Sequence, residues 1–344
     1  MADLSCKYLG LTLRNPLIVG SCGLTSSLDN LKKIARLGAG AVVLKSVFEE
    51  QIKFETDKLI ASEDQQIKSW KNAFEGIVKS TEFYYEEALN YLSSYAKEHT
   101  LNQYLAFIAE AKKGIDIPVI ASINCSSQYD WQYFARRIQQ AGADALELNV
   151  YLLPSDFEKK GGENEQVYFD VVKEVMKFVT IPVAVKTGYY FSSLARTLLE
   201  LSGTGIAGLT LFNRPYNPDI DIEHLHVSAS NMFSNETEYA NTLRWIAILS
   251  GRVKCDMAAA TGIHNHQTVI KQLLAGADAV QMTSVFYKHH FEVLTEIISG
   301  LEMWMAQHKF AAISDFKGLL SKKNIQNPAS YERVQFLKLF SGIE

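Results

Sequence analysis

The 344-residue chain is 47% hydrophobic and 21% charged, enough apolar material for a sizeable core, and its net charge of −4 leaves no basic tract to follow a phosphate backbone. No apolar run reaches the ~18 residues of a membrane span, and MADLSCKYLGLTLRNP lacks the apolar core of a secretory leader. The four cysteines, Cys6, Cys22, Cys125 and Cys255, stand singly, which fits a reducing cytoplasm and argues against an iron–sulfur or zinc site built by this chain alone.

Pro16–Val19 reads as a first buried strand. Ser26–Leu37 follows as an amphipathic helix with Leu28, Leu31, Ile34 and Leu37 at helical spacing and Ser27 or Asp29 as N-cap. Ala41–Ser46 is the second strand; continuous apolar runs of this kind suit strands covered by helices on both faces. From Val47 to about His99 the periodicity is uneven. A βα connection usually takes ~2–6 residues, so 47–100 reads as an insertion with short helices of its own, lying over the carboxyl face of the sheet. Leu101–Lys113 is helical, and Pro118–Asn124 is the third strand.

Trp131–Gln140 leads to the fourth strand, Ala145–Asn149, with Gly142 just past the helix end, where φ turns positive. Tyr168–Val179 is a helix that feeds the fifth strand, Pro182–Lys186. Leu194–Leu201 is helical and Gly208–Phe212 the sixth strand, followed by a long excursion over about 214–240. Leu243–Leu249 is helical, Cys255–Ala259 the seventh strand, Thr268–Leu274 a helix and Ala279–Met282 the eighth strand, with closing helices expected in Phe291–Glu344.

Helix, glycine, short apolar strand and polar tip recur in GAGAVVLKS, AGADALELN, GIAGLTLFN and AGADAVQMTS. Eight strand–helix units without a breaking linker point to an α/β fold, a (β/α)8 barrel in one domain over 1–344. An open doubly wound sheet is the alternative, but no G-x-G-x-x-G follows the first strand. In a barrel the carboxyl ends of the strands meet at one mouth. The tips are Ser21, Lys45 with Ser46, Ser122 with Asn124, Asn149, Lys186, Asn213, Thr261 with Gly262, and Thr283 with Ser284. One lysine at a strand end ordinarily just reaches solvent. Two lysines and three asparagines converging on one mouth instead read as a ligand-binding set. The last two tips fall where barrels often seat a phosphate on backbone N–H groups and hydroxyls.

NPLIVGSCG, VVLKS, IASIN, LELNV, VAVKTGYYF, LTLFN, ATGI, QLLAGADAVQMTS and ISDFKGLLS, in this order, resemble the soluble class of the dihydroorotate dehydrogenase family, FMN-containing (β/α)8 barrels. The resemblance runs from about Asn15 to about Leu320. It implies an FMN-dependent oxidoreductase acting on a CH–CH group, dihydroorotate to orotate in pyrimidine biosynthesis. It further implies that Lys45 and Ser46 contact the isoalloxazine ring and that Ser21, Ser122 and Asn124 also belong to the cofactor site. Asn149 would lie near flavin and substrate, with catalytic roles for Lys45, Asn149 and Asn213, the last facing substrate. Lys186 would place positive charge beside the flavin N1–C2=O edge, stabilising the anionic reduced flavin. Thr261, Gly262, Thr283 and Ser284 would take the phosphate. A cytoplasmic homodimer is implied, with the electron acceptor open and any iron–sulfur relay carried by a partner subunit.

The sequence also departs from the family. The family's soluble class carries its general base, a cysteine, three residues after the strand-four asparagine; here that residue is Leu152. Its neighbour Tyr151 could take the role only with its pKa, ordinarily ~10, lowered. The family's N-S-M-G-type segment has no counterpart in Val47–Thr100. Arg214 replaces a small hydroxyl residue after Asn213, where it either grips a substrate carboxylate or fills the site. SNMFSNETE stands in place of a double-glycine turn. Two alternatives follow: a flavin barrel that oxidises another small substrate, or a phosphate-ligand barrel, either a binding protein or a lysine-dependent aldolase using Lys45 or Lys186.

Overall fold

The computed structural model describes residues 2–48, 100–124, 128–215, 217–229 and 231–332. Strands and helices alternate: β1 (Leu17–Val19), α1 (Leu28–Arg36), β2 (Ala41–Val43), α2 (100–114), β3 (Val119–Asn124), α3 (Gln128–Gln140), β4 (Ala145–Val150) and α4 (Gly161–Met176). The second half continues with β5 (Val183–Thr187), α5 (Leu194–Ser202), β6 (Gly208–Leu211), α6 (Tyr239–Leu249), β7 (Asp256–Ala260), α7 (His266–Ala275), β8 (Ala279–Met282), α8 (Ser284–His289) and α9 (Val293–His308). All eight strands are parallel, and the pairs Met282↔Val19 and Val43↔Ile120 complete the ring. The fold is the (β/α)8 barrel expected from the repeat.

Strand alternation sorts the side chains onto two faces. Val42, Val119, Leu146, Val185, Leu209 and Val280 point outward into the main core beneath the helices. Ile18, Ala41, Val43, Ile120, Ala145, Ala184, Ala258 and Ala279 point inward, into a second, smaller cluster. Five of these eight are alanine because the space is already taken. An antiparallel hairpin, Cys6–Tyr8 paired with Leu11–Leu13, sends Tyr8, Leu9 and Leu13 into the amino end of the ring. A Cβ on Gly208 would lie 2.4 Å from Leu9 Cδ2, and the Leu9 N–H donates to Asp256 at 2.8 Å. Nothing in the sequence reading anticipated this hairpin.

The helix ends follow local chemistry. Asn265 caps α7 by accepting from the Thr268 N–H at 2.9 Å, and Gly276 ends it at φ 114. Gly142 takes φ 94, as expected past α3. Boundaries shifted where the pattern was ambiguous: α4 begins at Gly161 rather than Tyr168, and α6 at Tyr239 rather than Leu243. After β6 the excursion carries a hairpin of Pro218–Asp221 with His226–Ala229. Val47–Phe48 adds a short parallel strand beside β3, and the rest of the expected 47–100 insertion, from 49 to 99, lies outside the described residues, as does Cys125. Of the closing helices expected over Phe291–Glu344, α9 forms; past it the described chain to 332 contains short 3-10 turns at Ile313–Asp315 and Pro328–Tyr331, and 333–344 lies outside the described residues.

Candidate active site at the barrel mouth

Above the alanine layer the inward positions turn polar. Glu147, two residues along β4 from Ala145, is 1% exposed. Its Oε2 accepts from Gln281 Nε2 at 2.6 Å and from Thr210 Oγ1 at 3.0 Å. Its Oε1 has no hydrogen-bond partner among the described residues and lies 4.0 Å from Lys186 Nζ. Lys186 is 12% exposed and donates to Gln281 Oε1 at 3.4 Å. A buried carboxylate and a nearly buried ammonium on adjacent strands thus neutralise each other inside the ring, and neither could be buried alone without a large desolvation cost.

The next layer is amides and hydroxyls. Asn213 Nδ2 donates to Asn149 Oδ1 at 2.8 Å, and the Asn213 N–H is held by the Thr187 carbonyl at 2.7 Å. On the opposite wall the hydroxyls of Ser21, Ser46 and Ser122 form a chain at 3.0 and 2.7 Å, and the Tyr104 hydroxyl accepts from the Ser122 N–H. Lys45 lies two residues beyond inward-facing Val43, at the same end, and is partly buried; Asn124 ends β3, also partly buried. Among the described residues Lys45 has no hydrogen bond or ion pair.

Ser21, Lys186, Asn213, Thr261, Gly262, Thr283 and Ser284 line one cleft. Thr261 and Gly262 both have positive φ, 76 and 74. A side chain on Gly262 would meet the Tyr239 nitrogen at 2.2 Å, so only glycine lets β7 turn against the start of α6. The cleft's outer edge comes from the excursion: the Ser234 N–H donates to Ser284 Oγ at 3.0 Å, and Lys288 Nζ donates to the Ser234 carbonyl at 2.8 Å. The Ser234 hydroxyl also pairs with His264 Nε2 at 2.9 Å. Burial, then the charge of Lys288, holds the His264 imidazole below its usual range, so it is neutral.

Arg214 is engaged, and Tyr151 stands differently from expectation. Arg214 lines the same cleft, and its guanidinium donates from Nε to Glu238 at 2.8 Å and from Nη1 to the Asn231 carbonyl at 2.9 Å, so it also braces the excursion. Burial, reinforced by neighbouring Tyr190, pushes the Tyr151 phenol up to about 12. That direction is opposite to what a base needs: near neutral pH Tyr151 is protonated. Leu152 packs against the main core and accepts nothing.

Sequence reasoning missed Glu147, Thr210, Gln281, Ser234 and His264. Glu147 carried a usable signal: it is a carboxylate at the same strand parity as Asn149, inside a run otherwise apolar. Gln281 has the same parity as Thr283. Ser234 and His264 carried none, because they meet across an irregular loop.

The family described as dihydroorotate dehydrogenase matches residues 3–305. The catalytic subunit of dihydroorotate dehydrogenase B (NAD(+)) from Thermoplasma acidophilum is 25% identical over 324 residues, covering 93% of this chain and 99% of its own. The protein of the same name from Pyrococcus furiosus is 25% identical over 330 residues, covering 93% and 99%. The NAD-dependent dihydropyrimidine dehydrogenase subunit PreA of Escherichia coli is 22% identical over 335 residues, covering 92% of this chain and 76% of its own.

Proposed function

This chain belongs to the dihydroorotate dehydrogenase family and is an oxidoreductase of that kind, and from this premise we propose that it seats FMN in the barrel mouth and oxidises the CH–CH bond of dihydroorotate or a closely similar ring. The observation that carries the reading is Lys186, a cation 12% exposed and fixed by Glu147 and Gln281 where a reduced flavin would need positive charge. The donor set fits the cofactor: an ammonium, hydroxyls and amides ring one end of the cleft, and the turns after β7 and β8 border the other. Thr261, Gly262, Thr283 and Ser284 would hold the phosphate. Lys45, Ser46, Ser21, Ser122 and Asn124 would border the rest of the cofactor. When bound, FMN supplies a two-electron hydride acceptor.

The remaining work falls to side chains of this chain. Asn213 Nδ2 gives one of its two N–H groups to Asn149 Oδ1, and among the described residues Asn149 Nδ2 and Asn213 Oδ1 have no side-chain partner, which would leave them for a ligand. A donor beside an acceptor matches the N–H and C=O of a cyclic imide or amide. Leu152 in the base position favours a second reading, a flavin barrel acting on another small unsaturated or saturated ring. The relatives named as catalytic subunits support an electron-transfer partner for this chain. A homodimer in the cytoplasm is the accompanying expectation; no helix among the described residues is long and apolar enough to cross a membrane.

Anaerobic mixing of the purified yellow protein with dihydroorotate tests the proposal: bleaching of the oxidised flavin band is expected. Protein that stays colourless after incubation with FMN would overturn it, and borohydride trapping of a carbonyl compound on Lys45 or Lys186 would then favour an aldolase. Yellow protein untouched by dihydroorotate would remove that substrate alone.

A further inference from the structure

A second cavity, about 660 Å3, opens beside the mouth between the chain that follows β5, the end of β6, the excursion and the first turns of α6. Phe212, Asn213, Arg214 and Thr261 line both this cavity and the cleft, so the two spaces share the end of β6 as a wall. Its volume falls within the ~300–1,000 Å3 of small-molecule sites. Nothing in the reaction proposed above uses it.

The back of the cavity is aromatic. Phe212 is buried, Phe191 packs on Tyr168 at 5.0 Å, and Trp245 leans on the main core, so three rings are held in place. The rim is made of carboxamides: Asn217, Asn231 and Asn241 line it, and among the described residues none of their side chains has a hydrogen-bond partner. The charged groups among the described lining residues, Arg214 and Glu238, are spent on each other, Nε to Oε2 at 2.8 Å and Nη2 to Oε1 at 3.3 Å. The remaining guanidinium nitrogen, Nη1, donates to the Asn231 and Met232 carbonyls. The cavity therefore presents flat apolar faces on one side, neutral donors and acceptors on the other, and no unspent charge among the described residues.

That combination sorts ligand classes. A phosphate or a carboxylate calls for a free cation, and the Arg214 guanidinium is taken. An alkyl chain would strip water from the amides and give them no partner in return. A furanose suits both walls: its C–H edge is apolar and packs on a ring, and each of its hydroxyls donates and accepts, as a carboxamide does.

Resting on the reading of the mouth given above, we propose that this cavity takes the ribose of a pyrimidine nucleoside whose ring sits at Asn149 and Asn213. Asn213 belongs to both spaces. A ring held by its Oδ1 lies at the shared wall, and the sugar passes over the end of β6 into the cavity. The reaction at the ring is unchanged; the sugar adds affinity and selects uncharged nucleosides over nucleotides.

The test is equilibrium binding to the yellow, oxidised protein, read by calorimetry with uridine, uracil and uridine 5′-monophosphate, whose rings are already unsaturated. Uridine is expected to bind about tenfold more tightly than uracil, the worth of one or two net hydrogen bonds, and the monophosphate no more tightly than uridine. Asn241→Trp fills the cavity from an exposed position near the start of α6. In that variant uridine binds no better than uracil, and the unchanged affinity for uracil shows that the mouth is intact. Asn241→Ala, which removes the amide and adds no bulk, weakens uridine alone, by a smaller factor. Equal binding of uridine and uracil by the parent, or uridine binding untouched by Asn241→Trp, would overturn the sugar site. Tighter binding of the monophosphate than of uridine would refute the neutral ligand class. Yellow protein that binds none of the three would remove the ring from Asn149 and Asn213, and the proposal with it. Protein that takes up no FMN fails the flavin reading itself, and its lack of colour shows this before any titration.

Discussion

Replacing Lys186 by methionine removes the ammonium and keeps most of the side-chain volume. It leaves Glu147, 1% exposed, with only the neutral donors Thr210 and Gln281 on one oxygen and none on the other. Two unit charges 4.0 Å apart interact by about 4 kcal/mol at an effective dielectric near 20, and breaking a buried pair commonly costs about 3–5 kcal/mol. Lys186→Met is therefore expected to lose about 3 kcal/mol in urea unfolding, measured on flavin-free protein so that ligand binding adds nothing. The companion Glu147→Gln removes the carboxylate and keeps the shape. If the charges act on each other, the double variant is more stable than the sum of the two losses predicts, by about 2 kcal/mol or more. Lys186→Met should also retain less FMN through purification, whereas the Glu147→Gln change alone leaves the cation in place. Additive losses, within about 0.5 kcal/mol, would refute the charge pairing, and full flavin occupancy in Lys186→Met would refute the cofactor role.

Other consequences can be measured as directly. Leu152→Cys restores a proton acceptor, since a free thiol ionises near ~8.5; bleaching by dihydroorotate at pH 8 should quicken about tenfold or more, and an unchanged rate would locate the obstacle in the pocket itself. The neutral state of buried His264 stabilises the fold above the ordinary histidine pKa of ~6.5, and that contribution is lost as pH falls through its lowered native value. The melting temperature of the parent should thus fall more between pH 7 and pH 5 than that of His264→Gln; equal falls would contradict this. Tyr8→Ala should cost about 3–5 kcal/mol by opening a cavity in the ring, while Tyr8→Phe, losing one long contact to Thr210 at 3.4 Å, should cost less than ~1 kcal/mol.

The barrel was legible because each of its strands is a short apolar run between a turn signal and a polar residue. Pro182–Lys186 was read one residue early and Ala279–Met282 without error. Helix starts were less legible: Gly161 and Gly162 disguise the first turn of α4, which Glu163, Glu165 and Gln166 nevertheless carry to the apolar stripe at Tyr168 and Val171. The rim residues were legible for the same reason as the strands. The layer beneath them was not, since Glu147 looks like an interruption of an apolar run until parity puts Thr210, Gln281 and Lys186 around it. Arg214 shows what adjacency leaves open: its place after Asn213 suggested either a ligand clamp or a filler of the site, and it lines the cleft while Glu238, 24 positions away, takes up its guanidinium.

The hairpin over residues 6–13 works as a stopper for the lower end of the ring, so whatever reaches the polar layer must come and go by the upper opening. It is cut from the earliest part of the chain yet seats against walls made late, as the contact between Leu9 and Asp256 across 247 positions makes plain. Contacts of such long range slow folding. During synthesis the ribosome must release most of the barrel before this bung finds its socket. The five alanines around the socket are too small to fill it themselves, so ring and hairpin complete one core.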